Sequence, residues 1–383
     1  MQDASLPEPP PEALAASARL ADLIAAEIAA RGGWIDFARY MALALYAPGL
    51  GYYAGGAQKF GAGGDFVTAP ELTPLFARAL ARQVAQVLAG SAPEVIEAGA
   101  GSGQLAADLL VALDALGAAP ERYRILEVSG ELRARQRETI AAQAPRLVDR
   151  VEWLNELPER FSGCLVGNEV LDAMPVHLVE WREDGGLDEI GVGVDAGRLV
   201  EAARPAQGAV REAALGLGAV APGRGEIGLA ARAWVSELAR RLGRGALLLI
   251  DYGLPRRELY FGTRSAGTLR CHYRHRLHGD ALWQPGLCDI TAHVDFTAIA
   301  EAGYDAGLDV AGYANQASFL LNCGIGELLQ AAGEGSAALR ARGAANVLIS
   351  PEEMGELFKV IALCRGLPGP LVGFARGDRV HAL

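Results

Sequence analysis

Hydrophobic positions along the chain fall into two regimes. Up to about residue 92 the spacing is helical. Leu20, Ile24 and Ile28 predict an amphipathic helix over 14–30, a second helix covers 35–45, and a third covers 74–88. Between them lies GLGYYAGGAQKFGAGGDFVTAP, too rich in glycine for regular structure. After Pro93 short apolar runs alternate with helical stretches: EVIEAG then GQLAADLLVALDAL, YRILEVS then GELRARQRETIAAQ, followed by VEWL and CLVGNEV. Later come the helical EIGLAARAWVSELARRL, then GALLLIDYG as a fifth strand. Strands alternating with helices of this length predict a parallel α/β sheet covered on both faces. Residues 177–203 alternate instead and turn at Gly185–Gly186 and Ala196–Gly197, as an antiparallel hairpin would. A polar Arg/His-rich loop over 254–289, a helix near 294–302, a helical stretch over 316–342 and a last strand FKVIALCRG complete the pattern.

The first strand–turn–helix carries the chemistry. Glycines after a strand permit a tight turn and close approach of a ligand to the backbone. Gly101-Ser-Gly103-Gln-Leu-Ala106 fits the dinucleotide pattern, but Glu97 ends the strand before it, giving E-A-G-A-G-S-G with glycines at Gly99, Gly101 and Gly103. A carboxylate there repels a pyrophosphate and favours a cofactor with an amino group, a sulfonium and no phosphate. S-adenosylmethionine (SAM) is therefore preferred over NAD, and no Tyr-x-x-x-Lys supports an oxidoreductase. Glu127 ends the next strand, beside Val128, where a carboxylate can accept from both ribose hydroxyls of either cofactor.

Bulk properties narrow the field further. The 383 residues are about half apolar and carry a net charge of −11, which disfavours binding nucleic acid through phosphate neutralisation and suits a cationic ligand or substrate. No apolar run approaches the roughly 18–20 residues of a membrane span. Five scattered cysteines without a C-x-x-C, and an acidic, Pro-rich start, lead us to expect a reducing bacterial cytoplasm. His272, His275 and His278 recur near Cys271 and Cys288, but the spacing is unlike that of zinc sites and the segment is rich in Arg, so no metal is expected.

Eight ordered runs resemble the MidA family, the bacterial and mitochondrial relatives of a complex I assembly methyltransferase. They are GYY at 51–53, GGDFVTAPELTPLF at 63–76, EAGAGSGQLAADLL, YRILEVSGELRARQ, GNEVLDAMPV at 167–176, IDYG at 250–253, GTLRCHYRHR at 267–276 and PGLCDITAHVDF at 285–296. The resemblance covers roughly 35–315. It implies a class I methyltransferase (Rossmann-like) α/β fold, with a mostly parallel sheet, helices on both faces, an N-terminal helical cap and inserted hairpin and helical segments. On that basis we expect a tail, cap and Gly-rich lid over 1–74 and a methyltransferase domain over 75–383, with insertions near 177–203 and 313–350. It further implies a protein substrate, arginine by analogy with the mitochondrial member, and a link to assembly of a respiratory complex. A small-molecule methyltransferase on the same core, or an assembly factor with little turnover, stays open.

For the acceptor, Asn168, Glu169 and Asp172 follow the fourth strand, where carboxylates could grip a guanidinium; helix capping explains the same residues. Asp65, Thr68 and Glu71 belong to the Gly-rich segment and are read as a lid toward the amino-acid end of the cofactor. Arg270, Arg274, His275 and Arg276 are read as shaping the acceptor pocket or binding an acidic part of a partner, with His275 the catalytic candidate. Asp251 and Tyr252 end the fifth strand, and Asp289, His293 and Asp295 serve capping as readily as catalysis.

Overall fold

The computed structural model describes residues 6–55, 68–218, 220–261, 266–331 and 333–383. The chain forms two compact units, one from segments 1–66, 171–232 and 256–295, the other from 67–170, 233–255 and 296–383.

The second unit contains seven strands of one sheet: β1 (Glu94–Ala98), β2 (Arg122–Leu126), β3 (Val151–Leu154), β4 (Phe161–Asn168), β5 (Leu242–Leu254), β6 (Asp309–Asn315) and β7 (Phe358–Arg365). Their spatial order is β3-β2-β1-β4-β5-β7-β6. The first five run parallel, and β7 is antiparallel to both of its neighbours. The central strands β4, β5 and β7 carry near-continuous apolar runs because both of their faces are buried. Val95, Val166, Leu248, Ile250 and Val360 join the core built with the helix Pro74–Gly90, while Ile96, Leu165, Leu247, Leu249 and Leu363, also buried, alternate with them. On that second face a Cβ at Gly303, in the helix Phe296–Asp305, would meet Leu363 at 2.7 Å.

The strand order reverses between β1 and β4, and in open α/β sheets ligands bind at the carboxyl ends beside such a switch point. The turn at 99–103 leaves β1, Glu127 and Val128 follow β2, and Asn168 ends β4. Three of the predicted site segments therefore share that edge.

The first unit holds the helices Pro11–Ala30 and Phe37–Tyr46 and an antiparallel sheet of Ile35–Asp36, Leu187–Asp195, His177–Trp181 and Gly223–Ile227, with Arg198–Pro205 paired to Leu187–Asp195. Leu20, Ile24 and Ile28 pack with Tyr40, Met41, Leu178, Ile190 and Val192 in its core.

The structure departs from the sequence reading at four places. The second helix begins at Phe37 rather than Ile35, because the Asp36 carboxylate caps it by accepting from Arg39 N at 2.8 Å. The stretch 316–342 is three helices, Gln316–Asn322, Ile325–Ala331 and Ser336–Ile349, separated where Gly324, Gly333 and Gly335 take positive φ. The segment read as a polar loop over 254–289 contains the helix Arg256–Tyr260 and the strands Arg270–Tyr273 and Arg276–His278 of a three-stranded sheet with Asp289–Thr291. Finally, β6 was not anticipated: DVAGYAN is short of large apolar residues and its register shifts between Val310 and Gly312.

Candidate functional site

The turn after β1 is built on left-handed glycines, with φ of +68° at Gly99, +52° at Gly101 and +85° at Gly103. Gly103 must also lack a Cβ for steric reasons, since one would lie 2.9 Å from Gln136 Cα and 3.2 Å from Gln136 O. The helix Gly130–Gln143 is thus docked directly on the turn. Ser102 donates its hydroxyl to Glu71, fastening the short helix Ala69–Leu72 to the same turn, and Thr139 Oγ1 donates to Ser102 O at 2.9 Å. Thr68 stands at the N-cap of that short helix. Asp65 lies outside the described residues.

Glu97 is 2% exposed, and its carboxylate accepts from the Tyr123 hydroxyl at 2.6 Å. Burial pushes its pKa up to about 7 against the opposing effect of the Tyr123 hydrogen bond. The acid therefore sits beneath the turn, tied to β2.

Glu127 faces differently. One carboxylate oxygen accepts from Ser129 N at 2.9 Å and the other from Gln136 Nε2 at 3.2 Å. Its backbone carbonyl accepts from Arg133 Nε at 2.6 Å. Val128, next to it, is 80% exposed.

At the end of β4, Glu169 adopts φ +54°, a left-handed conformation that costs a non-glycine residue of order 1–3 kcal/mol and clusters at functional sites. Its N–H donates to Ile250 O at 2.8 Å, which fixes the strained peptide to β5. Asn168 donates Nδ2 to the Glu169 carboxylate at 3.1 Å. That contact assigns the amide orientation, because the carboxylate can only accept, and turns Oδ1 the other way. Asn168 Oδ1 is buried with no hydrogen-bond partner among the described residues. Asp251, at the end of β5, is fully buried and accepts from Tyr252 N at 2.9 Å.

In the first unit, Asp172 is buried and accepts from Ala173 N at 2.8 Å. Tyr46 and Tyr53 stack with ring centroids 5.5 Å apart, and their hydroxyls donate to Ala173 O and the Asp289 carboxylate, each at 2.8 Å. Tyr46 keeps 43% of its surface exposed although its hydroxyl end is enclosed. Asp295 pairs with Arg256 at 3.3 Å. His275, proposed from sequence as catalytic, is exposed at the two-residue turn between Arg270–Tyr273 and Arg276–His278. It takes φ +60° after Arg274 at +46°, the pair of positive values that a tight hairpin turn demands. Turn geometry accounts for its backbone, and among the described contacts none joins its side chain to the residues at the ends of β1, β2 and β4. Among the described residues, no three His, Cys, Asp or Glu side chains converge as metal ligands.

Sequence reasoning missed Gln136, Ser102, Tyr123 and Trp153. The available signal was in the helix 130–143, where only Gln136 and Ile140 are buried, so one of its two inward positions is polar.

A family model described as "Putative S-adenosyl-L-methionine-dependent methyltransferase" matches residues 75–314. The chain is 32% identical over 372 residues to the mitochondrial protein arginine methyltransferase NDUFAF7 of Mus musculus, spanning 86% of this chain and 81% of that protein. The Danio rerio counterpart is 30% identical, with 89% and 85% covered. Among solved structures, a Burkholderia thailandensis protein bound to S-adenosyl-homocysteine shares 55% identity and a TM-score of 0.95, covering 99% of this chain and 100% of that one. With its sheet order, its glycine turn and these relatives, the chain belongs to the MidA-type family of SAM-dependent methyltransferases and has their class I fold.

Proposed function

We propose that the chain methylates an arginine side chain of a protein, in the service of assembling a respiratory complex, and that it works in a bacterial cytoplasm. The observation that carries the acceptor is the pair at the end of β4: a buried Asn168 Oδ1, without a partner among the described residues, beside the strained Glu169. A guanidinium has five N–H donors and no acceptor, so it complements an acceptor oxygen next to a carboxylate. The naming of the mouse and zebrafish relatives as protein arginine methyltransferases supports the same reading. So do the net charge of −11, which suits a basic acceptor better than nucleic acid, and, for the compartment, five free, buried cysteines.

The edge of the sheet fits SAM. Glu127 has lone pairs beyond those used by Ser129 and Gln136, and in this reading it takes the ribose hydroxyls. Val128 offers its exposed face to the adenine. The turn 99–103 approaches the ligand with backbone alone, and Thr68 and Glu71, with Asp65, serve the amino-acid end. Glu97, partly ionised near neutral pH, keeps negative potential under the turn and disfavours phosphate.

When bound, SAM supplies an electrophilic methyl group on a sulfonium. The work of the chain is alignment. Glu169 and Asn168 hold one side of the guanidinium and draw its positive charge toward them, so that another nitrogen presents its lone pair to the methyl. A new N–C bond forms as the C–S bond breaks, and the nitrogen sheds a proton, for which the Glu169 carboxylate is an acceptor.

The test is transfer of labelled methyl from SAM to a lysate of cells lacking the protein, followed by hydrolysis to amino acids, with Gly101→Val as control. Label in methylarginine supports the proposal. Label confined to small molecules points to a metabolite acceptor, and label no higher than the control contradicts turnover altogether.

A further inference from the structure

We propose that Gln136 is a positioning residue for the cofactor: it couples the acid after β2 to the glycine turn after β1, so that both present one fixed surface. The inference rests on the reading of Glu127 as the ribose acid. Gln136 is fully buried, and its amide makes three contacts. Nε2 donates to Gly101 O at 3.1 Å and to the Glu127 carboxylate at 3.2 Å. Oε1 accepts from the Trp153 indole N–H at 2.9 Å.

That last contact decides the other two. An indole N–H only donates, so it holds the amide oxygen and forces both amide hydrogens toward the cofactor edge. The Glu127 carboxylate and the Gly101 carbonyl only accept, so they demand the same orientation, and all three contacts fix one amide rotamer. The rest of the helix surface reinforces this seating. One turn earlier, Arg133 holds the carbonyls of Glu127 and Leu154, each at 2.6 Å, and Asn155 Oδ1 at 2.8 Å. One turn later Thr139 holds Ser102 O at 2.9 Å, and the side-chain amides of Gln143 and Gln104 bond each other at 2.9 Å. The helix thus meets the site with a line of polar side chains, and Gln136 alone touches both the acid and a glycine of the turn. A carboxylate already anchored on each oxygen is pre-ordered for two hydroxyls, so less ordering cost falls on ligand binding.

Calorimetric titration with S-adenosylhomocysteine tests the idea on the full chain carrying Gln136→Met, Glu127→Gln or both. Gln136→Met should weaken binding on the order of tenfold, as loss of a buried hydrogen bond to a charged group does. Against the Glu127→Gln background the same change should cost less than about threefold, since coupled residues are non-additive. Equal costs in the two backgrounds, with Glu127→Gln itself weakened, would overturn the inference alone. Parental affinity in Glu127→Gln would sink the ribose reading and the inference with it.

Gln136→Glu supplies an independent readout at nearly constant volume. It retains an acceptor for Trp153 but sets a second carboxyl against Glu127, and such a pair shares a proton. Protonated, the new carboxyl can donate to Glu127 as the amide did. Glu97 titrates over the same range in both chains, so the affinity of this variant relative to the parent's should recover several-fold as pH falls from 8 to 6. A pH-independent deficit is what a merely structural role gives, and it would overturn the proposal.

Discussion

Gly103→Ala separates what the turn owes to backbone conformation from what it owes to close packing. Gly103 takes φ +85°, and a methyl there would lie 2.9 Å from Gln136 Cα and 3.2 Å from Gln136 O. A left-handed conformation costs alanine roughly 1–2 kcal/mol. The contact adds to this because the obstruction is backbone, which cannot rotate away as a side chain would; overpacking of this kind costs about 1–3 kcal/mol. Gly117 provides the control, with φ +68°, just past the other end of the helix Gln104–Ala115, and nothing within 4 Å of the place its methyl would take. Gly117→Ala should lose only the conformational part, so the two variants should differ by about 1–3 kcal/mol in urea unfolding. Gly103→Ala alone should also weaken S-adenosylhomocysteine binding, because relief of the clash moves Gln136 and the turn apart. Equal destabilisation of the two variants, with ligand affinity unchanged in both, would refute this account of the turn.

Three further outcomes follow. Glu97 binds its proton more tightly in the folded chain, with a pKa of about 7 against 4.5. Its contribution to stability is thus fully present below pH 4.5 and lost as pH rises through 7, a fall of about 3 kcal/mol. Glu97→Gln retains an acceptor for Tyr123 without titrating, so the parent-minus-variant stability should decline across that window and flatten above it; a flat difference throughout would contradict the buried acid. Glu169→Gly should relieve about 1 kcal/mol of left-handed strain, leaving a chain at least as stable on urea titration but about 100-fold slower in methyl transfer, the scale on which removal of one polar group at a reacting centre is felt. Asn168→Ala should lower turnover by a similar factor of about 100 while leaving S-adenosylhomocysteine affinity near parental; loss of ligand binding instead would move Asn168 from the acceptor side to the cofactor side.

Much of the second unit was legible before the structure. Runs such as ALLLI at 246–250 are apolar at every position because both sheet faces are buried, and that pattern does not depend on remote contacts. The glycine turn was legible for a similar reason: the left-handed backbone at 99, 101 and 103 favours glycine locally, whatever lies elsewhere in the chain. What escaped depended on pairing across the chain. β6 is short of large apolar residues and is held by β7, whose nearest partner in sequence, Lys359 opposite Asn315, lies far along the chain. The polar loop at 254–289 hid strands whose partners lie on either side of a turn. Within the site, Glu127 could be placed by its position after a strand, but Gln136 could not, because its three partners come from three different elements. Glu97 was found for its charge, and its burial against Tyr123 was invisible because strand neighbours are set by sheet order rather than by sequence. At His275 the sequence showed a titratable residue in a polar run, and the hairpin turn that sets its backbone was not legible there.

The most direct test of the proposed arginine acceptor is made in cells, by quantitative mass spectrometry of methylarginine on respiratory-complex subunits. Three strains are compared, one lacking the protein, one restored with the parent chain and one restored with Asn168→Ala. The account predicts at least one methylarginine that is absent from the deletion, returns with the parent and stays absent with Asn168→Ala. Identical arginine methylation in all three strains would contradict it.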